Sequence, residues 1–230
     1  MKSHTGSVDG HVDKNGEDYR FDAQNSHDKT KGWYKSSNLP HWDCGGIFQV
    51  ITYRLADSLP KSYLEKLKKQ LNNSNDQVSQ ESRKEIEILL DMAYGSCVLK
   101  EAQCAAIVEE NWMNFHRKRY EVIAGVIMPN HVHILIKVYM QVQLGKIIKS
   151  WKSYTSRKIK ELLISGSVDG HVDKLGECYR SDDRLSQGVW QRGYWDRYIR
   201  DEKHYHQTID YIKKNYYNGG GIKLIIPDGN

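Results

Sequence analysis

A fold that mixes strands with helices is expected of this chain, and three observations carry the expectation. Two apolar runs, Val122 to Ile127 and Ile134 to Val138, flank the short break Pro129-Asn130, which reads as strand, tight turn, strand. A third run, Ile47 to Leu55, alternates enough to be another strand. Around these lie charged stretches whose leucines and isoleucines recur at helical spacing.

At 230 residues the chain is long enough for one sizeable domain with appendages. Charged residues make up 27% and hydrophobic residues 39%, and the net charge of +5 permits a nucleic-acid partner without requiring one. The cysteines Cys44, Cys97, Cys104 and Cys178 show no C-x-x-C spacing and read as free thiols in a reducing compartment. The first residues are polar, without the apolar core of a signal peptide, and no apolar run reaches the length of a membrane span. A cytoplasmic protein without membrane contact is expected.

Taken in order, residues 1–38 are polar and read as poorly ordered. Leu39 to Asp43 reads as a rigid entry segment before the first strand. Ser58-Leu59-Pro60 caps a charged helix with Leu64, Leu67 and Leu71 at helical spacing, and Glu81 to Met92 is a second helix. Cys97-Val98-Leu99 reads as a short extended piece, and Ala102 to His116 as a third helix. Strands then run from Tyr120 to Met128 and from His131 to Val138. Gly145 to Leu163 is a basic amphipathic helix whose Lys146, Lys149, Lys152, Arg157, Lys158 and Lys160 oppose only Glu161, a balance that tilts toward phosphate contact. Val189 to Arg200 mixes Arg192, Arg197 and Arg200 with Trp190, Tyr194 and Trp195, which suits single-stranded nucleic acid or ordinary packing. Asp201 to Asn215 is the last helix, with acids in its first turn and lysines in its last. Ile222 to Ile226 could add an edge strand or simply pack.

Chemistry concentrates at the central turn. His131 and His133 are two apart in a strand, so both imidazoles aim at one spot while Val132 points the other way. Two neighbouring neutral imidazoles are half of a metal site. Tyr211 and Asn215 lie four apart on the last helix and share a face, offering a phenol and an amide oxygen together. A phenol titrates near 10 and needs a nearby cation to become a nucleophile. On this ground alone Tyr198, Tyr205, Tyr216 and Tyr217 remain rivals to Tyr211.

Several segments in fixed order carry a resemblance. They are Leu39-Pro40-His41-Trp42-Asp43, Thr52 to Pro60, Met128-Pro129-Asn130-His131-Val132-His133, Trp151-Lys152-Ser153-Tyr154-Thr155, Trp190 to Glu202, and Asp210-Tyr211-Ile212. In these the chain resembles the REP-associated tyrosine transposases, IS200-like members of the HUH endonuclease superfamily, over residues 39–222. The resemblance implies a ferredoxin-like α+β domain, an antiparallel sheet with helices on one side, followed by a tail at 223–230. It implies Tyr211 as nucleophile, with His131, His133 and Asn215 holding Mg²⁺ or Mn²⁺. The substrate it implies is single-stranded DNA beside a small hairpin in palindromic repeat elements, cut through a 5′-phosphotyrosine by a monomer or homodimer. Lys149, Lys152, Arg192, Arg197 and Arg200 are the expected contacts to the DNA backbone. The rival reading is an inactive hairpin-binding protein derived from a transposase. A replication initiator of the same superfamily fits less well, and a zinc hydrolase is a poor fit, since no H-E-x-x-H occurs. One departure stands out: relatives usually have proline after the residue at the Asn215 position, whereas here Tyr216-Tyr217-Asn218 and Gly219 to Gly221 follow. Without that helix stop, a looser helix end is expected.

Gly6 to Lys14 recurs as Gly166 to Lys174, and the likeness continues to Tyr19-Arg20 and Tyr179-Arg180. Two distant copies do not make a solenoid. They read as inserted coding sequence, tolerated because lengthening a surface loop costs little. Deleting residues 165–185 is therefore expected to leave a folded protein with an unchanged circular-dichroism spectrum; loss of soluble expression would contradict the reading.

Overall fold

The computed structural model describes residues 32–36, 39–43, 45–73, 80–140, 142–165 and 188–227. The strands are β1 Gly32–Ser36, β2 Leu39–Asp43, β3 Phe48–Arg54, β4 Tyr120–Ile127, β5 His131–Val138, β6 Trp195–Tyr198 and β7 Lys223–Ile225. The helices are α1 Lys61–Asn73, α2 Gln80–Asp91, α3 Ala102–Met113, α4 Leu144–Ser165 and α5 Glu202–Tyr217. Most of residues 1–38, with the first repeat copy, lie outside the described residues, as does the second copy. Residues 32–36 differ from the expectation for that segment: they are β1, paired antiparallel with β2. Val98–Lys100 differs too, forming a 3₁₀ turn where an extended piece was expected.

With α1, α2 and the 3₁₀ turn inserted between β3 and α3, the elements β3, α3, β4, β5, α4 and β6 form a βαββαβ series, and the sheet order is β6-β3-β5-β4-β7. All of its ladders are antiparallel. This is the ferredoxin-like arrangement, extended at one edge by β7, so the sheet continues past residue 222.

Strand alternation divides the apolar residues into two layers. Ile51, Tyr53, Val132, Ile134 and Ile136 face α3 and α4, meeting Val108, Trp112, Ile147, Ile148 and Trp151. Ala124, Val126, Met128 and Leu135 gather instead with Ile212 of α5 on the other face. A bulge between Val122 and Ala124 shifts the β4 register and fixes which residues take which face beyond it. Thus α3 and α4 form the helical layer on one side, while α5 crosses the side that carries the histidines. Leu59, Ile86 and Leu90 make a smaller cluster that docks α1 and α2, with Trp195 against it.

The missing proline after Asn215 has a substitute. Gly219 N–H and Gly221 N–H both donate to the Asn215 carbonyl at 3.1 Å, and Gly220 takes φ +73°. A Cβ on Gly219 would lie 2.8 Å from that carbonyl oxygen. The glycines therefore stop the helix tightly, and the looser end expected from the sequence is not seen. Ile222 N–H then donates to the Ile127 carbonyl at 2.7 Å and leads the chain into β7.

Trp112 is fully buried, and its Nε1–H donates to the Tyr53 hydroxyl at 2.9 Å. Gly125 makes room for it, since a Cβ there would meet the ring at 2.8 Å. Trp112→Ala is expected to cost about 3–5 kcal/mol in urea unfolding, the range for emptying a large aromatic site in a core.

Candidate active site

The hairpin turn places the histidines. Met128 N–H donates to the His131 carbonyl at 2.9 Å, and Leu55 N–H to the Asn130 carbonyl at 2.8 Å, so the start of β5 is locked against the end of β3. The register sets Thr52 opposite His133 and Arg54 opposite His131. Thr52 Oγ1 lies 2.7 Å from His133 Nδ1, and Asn130 Oδ1 lies 2.8 Å from His131 Nδ1. With their Nδ1 atoms held, the two Nε2 atoms face each other at 3.1 Å. Burial pushes His131 well below its ordinary pKa, with His133 beside it adding to the effect, and burial pushes His133 down to about 4. Both rings are therefore neutral at pH 7.

The last helix brings the phenol. Asp201 caps α5 by accepting from His204 N–H at 2.7 Å, and Thr208 and Ile212 bury its inner face. Tyr211, one residue before Ile212, projects over β5 with its hydroxyl 3.4 Å from His133 Nε2 and its ring 5.2 Å from the imidazole. Burial pushes its pKa up to about 12; Glu87 of α2 adds to the rise and the Asn215 side chain opposes it. The phenol is thus protonated at pH 7 in the absence of added positive charge. Asn215 is buried, and its Nδ2 donates to the Tyr211 carbonyl at 2.9 Å.

The histidine pair suits a cation. Two nitrogens 3.1 Å apart fit one ion at about 2.1 Å from each, roughly at a right angle. Among the described residues no three His, Cys, Asp or Glu side chains gather as a metal cluster. An amide oxygen, water or a phosphate oxygen of a substrate could complete the coordination.

His133 and Tyr211 line a cleft of about 920 Å³ together with Thr52, Lys84, Glu87, Arg197, Arg200, Lys203 and His204. Of the five expected DNA contacts, Arg197 and Arg200 are therefore at the site. Arg192 is exposed and does not line the cleft, and Lys149 is exposed on α4, across the sheet from the histidines. Lys152 points inward: its ammonium donates to the main-chain carbonyls of Gln191, at 2.6 Å, and Gly193. Burial, with Arg54 nearby, pushes its pKa down to about 8. Sequence reasoning missed Thr52, Asn130, Lys84 and Glu87 as neighbours of the site. Asn130 stood next to His131 in the motif and could have been found; the other three depend on strand register or on where α2 docks.

Comparisons with known proteins give one family match and partial relatives. Residues 98–169 match the family model described as Transposase IS200 like. An uncharacterised protein of Haemophilus influenzae is 33% identical over 93 residues, which is 39% of this chain and 51% of that protein. A second protein of the same organism, provisionally named a REP-associated tyrosine transposase, is 28% identical over 108 residues, 46% of this chain and 54% of that one. The chain spans about half the length of these curated relatives. A solved structure of a REP-associated tyrosine transposase bound to a REP hairpin covers 80% of this chain and 75% of its own, at 15% identity and a TM-score of 0.39, too distant a likeness to argue from. The resemblance read from the sequence is borne out by the family match and the curated relative.

Lys152→Met leaves two carbonyls without their donor and is expected to lower stability by about 1–3 kcal/mol in urea unfolding. Lys149→Met, at an exposed position, is expected to stay within about 0.5 kcal/mol of the parent.

Proposed function

Residues 98–169 carry an IS200-like transposase match, and from that premise we propose that the protein is a metal-dependent transesterase acting on single-stranded DNA beside a hairpin. The observation that carries the reading is the Tyr211 hydroxyl lying 3.4 Å from one of two neutral imidazoles whose Nε2 atoms converge at 3.1 Å. His131 and His133 hold the cation, Mg²⁺ or Mn²⁺, and Asn215 supports the nucleophile's helix turn or adds a neutral ligand. When bound, the ion supplies positive charge that polarises a non-bridging phosphate oxygen. Tyr211 gives its proton to solvent, which later returns one to the leaving 3′-oxygen, and the phenolate oxygen attacks phosphorus. The bond from phosphorus to the 3′-oxygen breaks, that oxygen leaves as a 3′-hydroxyl, and the 5′-phosphate stays on the tyrosine. Arg197 and Arg200 hold the strand's phosphates in the cleft. Arg192 and Lys149 reach only DNA that extends past the cleft.

Among the described residues no helix is long and apolar enough to cross a membrane. The proposed reaction takes place on DNA in the cytoplasm, with the protein as monomer or homodimer. A second reading, an inactive hairpin-binding protein derived from a transposase, draws on one observation: burial and the nearby Glu87 push the Tyr211 phenol up to about 12, against the ionisation a nucleophile needs.

Incubation with a hairpin-flanked single strand and Mn²⁺ is expected to give a covalent protein–DNA adduct on a denaturing gel. Tyr211→Phe and chelator should each abolish it. An adduct that persists in Tyr211→Phe would overturn the choice of nucleophile, and tight hairpin binding with no adduct under either metal would favour the second reading. Arg197→Ala is expected to weaken hairpin binding and to make its dependence on log salt shallower by about one phosphate contact.

A further inference from the structure

Asn130 is the residue on which the chemistry of His131 turns. It is fully buried, one position before the histidine. Its Nδ2 donates to the Tyr94 carbonyl at 2.9 Å, and its Oδ1 faces His131 Nδ1 at 2.8 Å. The first contact fixes the second. A carbonyl only accepts, so the amide must present its nitrogen to Tyr94 and its oxygen to His131. An amide oxygen also only accepts, so Nδ1 of the neutral imidazole must carry the proton. The lone pair then sits on Nε2, the atom that faces His133.

The carbonyl that sets this chain in motion is itself held by an unusual piece of backbone. Ala93, Gly95 and Cys97 all have positive φ, at 52°, 97° and 52°. Ser96 N–H donates to Asp57 Oδ2 at 2.8 Å, and a Cβ on Gly95 would lie 2.5 Å from the Asp57 carbonyl oxygen. Left-handed residues in such density persist only where their surroundings over-determine them. Here they turn the Tyr94 carbonyl toward Asn130.

We propose that Asn130, oriented by the Tyr94 carbonyl of the 93–97 turn, is the positioning residue that holds His131 in the Nδ1–H tautomer and so keeps Nε2 open for a divalent cation. The step to the cation rests on the metal-site reading above; the tautomer does not. Ligand histidines are commonly oriented through the other ring nitrogen, and loss of such a partner weakens metal binding about 10–100-fold.

The test separates the two parts. Long-range ¹H–¹⁵N correlation spectra of the metal-free full chain report which ring nitrogen of His131 is protonated, with His131→Gln used for assignment. The Nδ1–H form is expected in the parent and the Nε2–H form in Asn130→Ala. Calorimetric titration with Mn²⁺ is expected to show about 10–100-fold weaker binding in Asn130→Ala. Asn130→Asp keeps an acceptor beside Nδ1 while losing the donor to the Tyr94 carbonyl, and is expected to retain the Nδ1–H form; it also serves if the alanine variant fails to fold. An Nε2–H signal in the parent or in Asn130→Asp, or an Nδ1–H signal that survives in Asn130→Ala, overturns the proposal. A parent with the expected tautomer that binds no Mn²⁺ sinks the metal reading and leaves Asn130's control of the tautomer standing.

Discussion

The pairing of β3 with β5 is the constraint from which the site follows. Its register puts Thr52 beside His133 and brings the Asn130 carbonyl to Leu55 N–H. A slip of one residue would turn both histidines into the layer filled by Trp112 and Trp151, and would turn Val132 and Ile134 out toward α5. The apolar load on the α3 and α4 side makes that slip very costly. The packing of one face thus secures the chemistry of the other, and the site needs no stabilising contacts of its own beyond those that aim its rings.

Two layers of helix serve different ends. The α3 and α4 layer buries the largest side chains and ties them by hydrogen bonds, from Trp112 to Tyr53 and from Trp151 Nε1–H to the Tyr120 hydroxyl at 2.9 Å. The α5 layer is thinner, with Ile212 as its chief buried apolar anchor and Tyr211 about 39% exposed beside it. As the proposed nucleophile, Tyr211 must meet a substrate from solvent, and this half-covered position allows it. The same position leaves the phenol near Glu87 and desolvated, so in the proposed reaction its ionisation depends on positive charge arriving with the metal ion.

The histidine pair, the strands around it and the periodic helices were legible in the sequence because each rests on local spacing. Two apart in a strand means one face, and four apart in a helix means one face, whatever else the chain does. What escaped depends on distant parts meeting. Lys152 lies on a helix face that looks like a phosphate-binding stripe, yet the loop at Gln191 and Gly193 turns its carbonyls onto that lysine. The 3₁₀ turn at Val98–Lys100 looked extended because its apolar residues are buried by packing rather than by strand pairing. Glu87 and Lys84 reach the cleft only because α2 docks beside it, which no local spacing reveals. The glycines after Tyr217 looked like the loss of a helix stop and prove to be one.

The ends of the sheet carry a last consequence. β7 is only three residues long where it lies along β4, and β6 at the other end has four. The β1–β2 hairpin leans on β6 through a buried contact between His41 and Asp196. Unpaired strand edges are where chains recruit one another into aggregates, and short or shielded edges suppress this. A protein with this layout can keep a long, apolar central pair such as β4 and β5 without offering it as a template. Among the described residues two minor strands and one hairpin shield the central pair, and shortening either margin of the sheet would expose more than it removes.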